Sequence, residues 1–300
     1  MKQLPKQAIL IVNTLSRSGA DAFDDVRDKL VAAGIELLAA HAISDPDLMA
    51  PTIREAITKA PMVIIGGGDG SLSTNAGSFL GTDTVFAIIP LGTANSFAGT
   101  LGIPKDVISA VAVIANGERK RIDLGCIDGD YFVNTAAIGL SPLIAKTVPP
   151  KLKRYLGIVG YLLWAVRSAV KFRPFLMTVE YHDGRCEKVW ATEARIANGT
   201  HHGGIEIVDN QEIDSGWIVI QAVTGKSVWG LGWSWFATVM KLRARHGTTR
   251  EFRGRNLRLN TQPRLDISID GEIAARTPVT ISVARGAIEV AAPRDGQFPI

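Results

Sequence analysis

The chain has 300 residues, 46% of them hydrophobic, and a formal net charge of +4. This length suits two domains better than one, and the apolar content is ample for packed cores. Basic clusters at 151–154, 167–173, 241–246 and 250–258 fit either solvated surface or contact with anionic lipid headgroups. They match no recognised nucleic-acid-binding module, so we expect no nucleic-acid partner.

Cysteine use and hydropathy restrict the compartment. Cys126 and Cys186 lie far apart without metal-type spacing, which favours a reducing, cytoplasmic environment. The first residues lack the apolar core and cleavage pattern of a signal peptide. The longest uncharged stretches, 155–166 and 227–240, are shorter than the roughly 20 residues of a spanning helix. We therefore expect no transmembrane segment.

The first 115 residues alternate strand and helix signals. Apolar runs predict strands at 7–13, 35–43, 62–65 and 85–90. Helical spacing predicts helices at 20–33 and 48–59, a third from Ser71, and a short one after the turn at 91–95. This order predicts a parallel sheet covered by helices, with ligands at the carboxyl ends of the strands.

The glycine turn at 66–71 follows the third predicted strand. Its bare backbone lets a phosphate chain approach N–H groups, and a helix beginning at Ser71, a good N-cap residue, favours negative charge. Asp69 would repel a phosphate unless a cation lay between them or a hydroxyl needed its proton removed. The turn therefore indicates metal-assisted phosphoryl transfer, although many glycine turns bind nothing. It matches neither the dinucleotide fingerprint nor the P-loop.

A second turn, PLGTANSF at 90–97, repeats this logic at the end of the next predicted strand. Thr93 offers a hydroxyl, and Asn95 is placed to bridge the two turns or to contact a nucleotide. A structural helix cap explains the turn equally well.

After about residue 120 the pattern changes to strands joined by short polar turns. The predicted strands are 119–127, 130–138, 175–182, 186–197, 216–223, 255–260, 265–270, 278–284 and 286–291. Residues 182–185 and 284–287 are predicted hairpin tips, and together these signals indicate an antiparallel sandwich or barrel. The last strands, from Leu257, are candidates for a return to the first domain.

Two acidic motifs complete the candidate site. Asp123 ends a basic strand in IDLG, and IDGE at 269–272 places Asp270 and Glu272 about a glycine. Acidic residues at hairpin tips are more often simple turns than catalytic groups.

With these motifs, the chain resembles the diacylglycerol kinase catalytic family in its bacterial lipid-kinase branch, which is related to sphingosine kinases and more distantly to NAD kinases. The resemblance runs nearly end to end through GGDGS at 67–71, PLGTAN at 90–95, IDLG at 122–125, FVNTAAIG at 132–139 and IDGE at 269–272. It implies an N-terminal Rossmann-like parallel α/β domain over 1–120, which binds nucleotide. It also implies a C-terminal antiparallel β-sandwich domain over 121–300, which binds the lipid.

The resemblance implies transfer of the γ-phosphate of ATP to a lipid hydroxyl, with Mg²⁺, in a cleft between the domains. Asp69 then lies near the metal and the γ-phosphate, Asp123 belongs to the catalytic network, and Asp270 or Glu272 is the general base. The implied nucleotide contacts are Asn13, Arg17, His41, Gly67, Gly68, Asp69, Gly70, Ser71, Thr93 and Asn95.

Some residues depart from the family pattern. Ser71 and Ser73 replace the usual Thr and Asn or Asp types, and Ser96 replaces the Asp that normally follows Asn95. In the family's structural metal loop, here 212–217, Ser215 stands at the expected carboxylate and Asp214 lies one position early. Asp214 is therefore the candidate ligand of a structural Mg²⁺ that we do not expect to bind tightly.

The lipid side has independent support in two segments. Residues 227–246 place Trp229 and Trp233 in a helical pattern that is apolar on both faces and is followed by basic residues. Residues 151–173 share this design. Either segment fits a buried core helix or a contact with the membrane surface. We expect a peripheral enzyme at the inner face of the membrane; the alternatives are a soluble kinase of NAD or sugar phosphates, and a lipid-binding protein without catalysis.

Overall fold

A computed structural model of the chain describes residues 3–16, 19–147, 164, 172–198, 201–202, 205–206, 213–225, 249–269 and 272–294. Two predicted site residues, Arg17 and Asp270, lie outside these ranges. So do both aromatic segments, apart from Trp164 and residues 172–173. Within the described residues, no helix has the length and apolar character needed to cross a bilayer.

The first part of the chain is a helix-covered parallel sheet, as predicted. Its strands follow the spatial order β4–β3–β1–β2, and each neighbouring pair is parallel. The strands are β1 (Gln7–Asn13), β2 (Glu36–Ile43), β3 (Met62–Gly67) and β4 (Val85–Pro90). The helices are α1 (Gly19–Ala32), α2 (Pro46–Lys59), α3 (Asp69–Ala76), α4 (Ser96–Thr100) and α5 (Val107–Asn116), with a 3-10 turn at Gly77–Phe79.

Local sequence explains why these elements begin where they do. Every residue of β3 and β4 is buried, as continuous apolar strands in a parallel sheet require. Asp45 caps α2 by accepting a hydrogen bond from the Asp47 backbone, and Pro46 fits the first helical turn. Asp106 caps α5 in the same way through the Ser109 N–H group.

The second part is predominantly antiparallel and has its own hydrophobic core, which includes Phe132, Phe175 and Phe252. The strands are β5 (Glu118–Ile127), β6 (Asp130–Phe132), β7 (Thr135–Gly139), β8 (Phe175–Tyr181), β9 (Cys186–Ala197), β10 (His201–His202), β11 (Ile205–Glu206), β12 (Ile218–Thr224), β13 (Thr249–Gly254), β14 (Asn256–Gln262), β15 (Asp266–Ile269), β16 (Glu272–Arg276) and β17 (Val279–Ala292). A helix, α6 (Leu140–Thr147), lies between β7 and β8 among the described residues.

The last strand connects the two parts. β17 pairs antiparallel with β14 and β5, and its final residues pair parallel with β4 through Glu289 and Val290. Ile288 and Val290 accordingly belong to the core of the first part. The chain thus returns to the parallel sheet of the first part after building the β-rich part.

Two local expectations were wrong, and one strand was not predicted. Residues 284–287 are not a hairpin tip: β17 runs through them with a register shift between Ala284 and Ile288, where Asp123 Oδ1 accepts a hydrogen bond from the Gly286 N–H group. The strand that was not predicted is β13 at 249–254, which overlaps the basic cluster at 250–258. Ser71 does not cap α3, which begins at Asp69 with Gly68 as its N-cap.

Candidate active site

The two glycine turns meet backbone to backbone. β3 and β4 are neighbours, and Gly67 pairs with Pro90 at their carboxyl ends. A Cβ added to Gly92 would lie 2.6 Å from the Gly68 Cα atom, and a Cβ on Gly68 would lie 3.3 Å from the Gly92 Cα atom. The contact therefore requires glycine at position 92, and a side chain at position 68 would be tight.

The start of α3 is open to an anion. Gly68 is its N-cap in an extended conformation (φ −90°, ψ 177°), and no side chain caps its first turn. A Cβ built on Gly70 would have no atom within 4 Å, so open space adjoins this backbone. Because first-turn N–H groups lack intrahelical partners and lie at the positive end of the helix dipole, they suit a phosphate.

Asp69 joins the two turns and keeps one oxygen available. Its Oδ1 atom accepts a hydrogen bond of 3.0 Å from the Phe97 N–H group at the start of α4. Within the described part of the chain, its Oδ2 atom has no hydrogen-bond or ion-pair partner. The side chain is half-buried. The carboxylate is thus held in place with one oxygen left to receive a cation.

Asn13 and Ser71 connect a third strand to this site. Asn13 ends β1, and its Nδ2 atom donates to Ser71 Oγ at 2.7 Å. Its Oδ1 atom accepts from the Leu15 N–H group at 2.9 Å. A Cβ on Gly67 would lie 2.9 Å from the Ser71 Cβ atom, so the strand ends are closely packed here. Ser71 therefore links β1 to α3 rather than capping the helix.

Asn95 closes the second turn on itself. It has a left-handed conformation (φ 51°, ψ 47°), and its side chain accepts from the Gly92 N–H group at 2.9 Å and donates to the Gly92 carbonyl at 3.1 Å. The bond between the two turns comes from Asp69 instead. Thr93 is exposed at the tip of the turn, with its hydroxyl accessible to a ligand.

His41 lies at the sheet edge. It is exposed on β2 and pairs with Ile11 of β1. Two residues further along the same two strands, Asn13 pairs with Ile43. The hydrogen bond from Lys59 lowers the pKa of Glu55 on α2, and the charge of His41 acts in the same direction.

Asp123 is enclosed by backbone donors. Its side chain is 3% exposed. Its Oδ2 atom accepts from the Gly216 N–H group at 2.6 Å, and its Oδ1 atom accepts from the Gly286 N–H group at 2.7 Å. The Asp123 N–H group donates to the Ile213 carbonyl at 2.9 Å. This carboxylate fastens the 213–217 loop and the irregular part of β17 to β5.

Asp214 is paired with an amine. The Lys120 Nζ atom lies 3.2 Å from Asp214 Oδ2 on a partly exposed surface. Across the described residues, no group of three or more His, Cys, Asp or Glu side chains is placed to hold a metal. Within the described part of this loop, residues 213–217, Asp214 is paired with Lys120, and its role as a ligand of a structural Mg²⁺ stays a prediction.

The second acidic motif adjoins the domain junction. β15 and β16 pair as a hairpin around residues 270–271, and β15 also pairs with β7, where Ile269 faces Ala136. The hairpin therefore leads into its tip beside the loop at 132–135. Asp270 is outside the described residues, and the backbone of Glu272 begins β16.

Three residues at this junction were not predicted as site residues: Thr100, Asn134 and Asn198. Thr100 Oγ1 donates to Asn134 Oδ1 at 3.0 Å, and Asn198 Nδ2 donates to the carbonyls of Asp123 and Val133 at 2.9 and 2.8 Å. Asn134 lies in the family motif FVNTAAIG, but no role was assigned to it from the sequence. Asn198 and Thr100 had no sequence signal.

A parallel α/β sheet with a glycine junction at its carboxyl edge, joined to a predominantly antiparallel β-rich part, is a two-domain α/β plus β-sandwich fold. The model of the diacylglycerol kinase catalytic domain matches residues 7–127, and that of the YegS C-terminal NAD kinase beta sandwich-like domain matches residues 136–292. The chain therefore belongs to the diacylglycerol kinase catalytic-domain family, a family of lipid kinases, as its motifs predicted.

Individual relatives agree along the whole chain. A protein named diacylglycerol kinase from Staphylococcus saprophyticus is 26% identical over 300 residues, covering 97% of this chain and 96% of the relative. A Bacillus anthracis structure with the provisional name diacylglycerol kinase has a TM-score of 0.83 at 25% identity and covers 98% of both chains. Yeast NADH kinase complexed with NADH shares the fold alone, with a TM-score of 0.52 at 10% identity, 99% of this chain and 86% of that one. The predicted fold class and the prediction of a lipid kinase are confirmed.

Proposed function

We propose that this protein transfers the γ-phosphate of ATP to the hydroxyl group of a diacylglycerol-like lipid, with Mg²⁺, at the junction of the two glycine turns. The observation that carries the proposal is the carboxylate of Asp69. It is fixed by the Phe97 N–H group and keeps one oxygen without a partner among the described residues, beside a helix start that no side chain caps.

The helix start supplies the phosphate site. The N–H groups of the first turn of α3 and the bare backbone at Gly67, Gly68 and Gly70 allow a triphosphate to lie against the main chain. Asn13 and Ser71 fix one wall of this site, and Thr93 offers a hydroxyl at the other. Arg17 and His41 remain proposed nucleotide contacts from the sequence.

Asp69 is the residue that would hold Mg²⁺. Mg²⁺ accepts one or two protein carboxylates together with substrate phosphates and water, which one free carboxylate oxygen beside a phosphate site can satisfy. When bound, this ion would neutralise the charge that develops on the phosphoryl oxygens. The protein's own contribution is to hold the carboxylate at a fixed position relative to the phosphates.

Proton transfer is assigned to the hairpin between β15 and β16. In the transfer, the lipid oxygen forms a bond to the γ-phosphorus, the bond from that phosphorus to the ADP oxygen breaks, and the hydroxyl proton passes to Asp270 or Glu272. The pairing of Ile269 with Ala136 brings this hairpin toward the loop that contacts α3 and α4. Asp123, whose two oxygens accept backbone bonds, is assigned a positioning role rather than a chemical one.

The proposed location is the cytoplasmic surface of the membrane. The lipid acceptor is insoluble in water, the chain is basic, and its two aromatic-basic segments at 151–173 and 227–246 suit an interface carrying anionic headgroups. The protein would therefore act as a peripheral enzyme.

The test uses purified protein, γ-labelled Mg-ATP and a panel of acceptors in mixed vesicles: diacylglycerol, a sphingoid base and phosphatidylglycerol. Products are separated by chromatography, and parallel reactions replace vesicles by NAD or a sugar phosphate. Label in one lipid product, lost when the vesicles are omitted, supports the proposal. Label in a water-soluble acceptor would identify a soluble kinase instead. Vesicle binding without any labelled product would identify a non-catalytic lipid-binding protein.

A further inference from the structure

The loop at 132–135 is wedged between the two helices that carry the phosphate site. Asp69 begins α3, and its carboxylate accepts a hydrogen bond from the Phe97 N–H group near the start of α4. Ser73 lies four residues after Asp69 on α3, and Thr100 lies three residues after Phe97 on α4, so each is about one helical turn from the carboxylate along its own helix. The loop contacts both of these residues.

The contacts are direct hydrogen bonds. The Val133 N–H group donates to Ser73 Oγ at 3.4 Å, and Thr100 Oγ1 donates to Asn134 Oδ1 at 3.0 Å. Ser73 is 3% exposed and Asn134 is 1% exposed. The first contact is long and therefore weak, so the Thr100 bond is the stronger connection between the helices and the loop.

From the loop the chain of hydrogen bonds continues to Asp123. The Asn198 N–H group donates to the Asn134 carbonyl at 2.9 Å, and Asn198 Nδ2 donates to the Asp123 carbonyl at 2.9 Å. Asn198 is 1% exposed. The Asp123 carboxylate then binds the N–H groups of Gly216 and Gly286. We call Thr100, Asn134, Asn198 and Asp123 the interdomain link.

The orientation of Asn134 depends on Thr100. In the part of the chain that the structure describes, Asn134 Nδ2 has no hydrogen-bond partner although it is buried. Among the described residues, the Thr100 bond is the one hydrogen bond of the Asn134 carboxamide. Its loss would free the carboxamide to rotate and leave a second buried polar atom unpaired. Hydrogen bonds in buried networks are strong and the loss of one partner is costly, so the link suits a positioning function.

We propose that Thr100, Asn134 and Asn198 are positioning residues that set the place of Asp69 relative to the part of the sandwich fastened by Asp123. For its activity readout this inference rests on the proposed function. Neither Thr100 nor Asn198 touches the phosphate site itself, so their effect would be on the rate of transfer and not on the affinity for nucleotide.

The activity test compares three variants. Thr100→Val removes the hydroxyl, Thr100→Ser keeps it, and Thr82→Val is the matched control, because Thr82 is also half-buried and donates at 2.9 Å to the Phe79 carbonyl away from the link. We expect Thr100→Val to lower kcat about five- to tenfold, the effect of roughly one hydrogen bond, with KM for ATP unchanged. Thr100→Ser and Thr82→Val should stay within about twofold of wild type.

A second readout needs no activity. Hydrogen exchange is measured in wild type and the same variants on peptides covering 132–135 and 213–217. Thr100→Val should speed exchange in both peptides, because the disturbance passes through Asn198 to the loop held by Asp123, and Thr82→Val should change neither. Should Thr100→Val fail to fold, Thr100→Ala carries the same comparison.

The outcomes are separable. Faster exchange confined to residues around Thr100, or equal loss of kcat in the Thr100→Val and Thr82→Val variants, would overturn the link. If the wild-type protein labels no lipid, the proposed function is wrong. The hydrogen-exchange measurement then tests the interdomain link by itself.

Discussion

Asp123 is the last member of the interdomain link, and Asp69 contacts Phe97 about one helical turn before Thr100. The surroundings of these two aspartates differ. Both carboxylate oxygens of Asp123 accept hydrogen bonds from backbone N–H groups, and the residue is 3% exposed. One oxygen of Asp69 accepts a hydrogen bond from the Phe97 N–H group, and the other oxygen has no partner among the described residues. Both match acidic motifs of the same family, yet both oxygens of the first carboxylate accept backbone bonds and only one oxygen of the second does so among the described residues.

The difference separates structural from chemical work. A carboxylate that accepts one backbone bond on each oxygen stabilises the segments that donate them, and the two bonds fix its orientation. A carboxylate with one fixed and one open oxygen is preorganised for a ligand. The same residue type therefore fastens a loop in one region and, in the proposed function, serves phosphoryl transfer in the other.

The largest effect is expected at Asp69. Asp69→Asn keeps an oxygen that can accept from Phe97 but removes the negative charge, so kcat for lipid phosphorylation should fall roughly a thousandfold. The melting temperature should stay close to that of wild type. Steady-state kinetics and thermal denaturation of the same preparation provide the measurement. Near-normal turnover would remove the carboxylate from the mechanism.

At Asp123 the expected loss is one of stability. Asp123→Asn leaves one amide oxygen to accept and turns an NH₂ group toward the second backbone donor, so one of the Gly216 and Gly286 N–H groups loses its acceptor. We expect the free energy of unfolding to fall by roughly 2–4 kcal/mol. Urea denaturation measures this change. An unchanged unfolding midpoint would mean that the two backbone bonds contribute little.

The glycine junction offers a matched pair of substitutions. Gly92→Ala would place its Cβ atom 2.6 Å from the Gly68 Cα atom, so the turns must move apart, at a cost of about 1–3 kcal/mol in stability and at least tenfold in kcat. Gly70→Ala meets no atom within 4 Å and serves as the control, with stability equal to or slightly above wild type. Equal stability losses in both variants would contradict the close contact of the turns.

The smallest expected effect concerns Asp106, the N-cap residue of α5. It has no contact with Asp69 or Asp123 among the described residues and serves as a reference acid. The hydrogen bond from the Ser109 backbone lowers the pKa of Asp106. Because the folded pKa lies below the unfolded one, the stabilisation is present above about pH 4 and disappears as the pH falls through the folded value. Asp106→Ala should cost about 1 kcal/mol near pH 7 and almost nothing near pH 2, as chemical denaturation at both pH values can show.

Sequence reasoning succeeded where the determinants are local. The parallel strands, the glycine turn and the position of Asp69 follow from residues that are adjacent in the chain, because apolar runs and bare turns determine their own local conformation. The exact helix start at Asp69 was missed by two residues, since Ser71 is also a good N-cap type and binds Asn13 instead.

The partners of Asp123 could not be predicted in this way. Its two carboxylate contacts come from residues 93 and 163 positions away, and the bond between Thr100 and Asn134 spans 34 positions. The same long-range contact converts the predicted hairpin at 284–287 into an irregular stretch within β17. When the strand pairing is unknown, the sequence around an acidic residue at a strand end looks the same whether its carboxylate holds a loop in place or takes part in catalysis.

The most direct measurement is the single-turnover rate of γ-phosphate transfer from Mg-ATP to vesicle-bound lipid, in wild type, Asp69→Asn and Asp123→Asn, at a temperature where all three are folded. The account predicts a transfer step slowed roughly a thousandfold in Asp69→Asn and by no more than about tenfold in Asp123→Asn. Equal slowing of transfer in two folded variants, or a faster step in Asp69→Asn than in Asp123→Asn, would contradict the division of work between these two carboxylates.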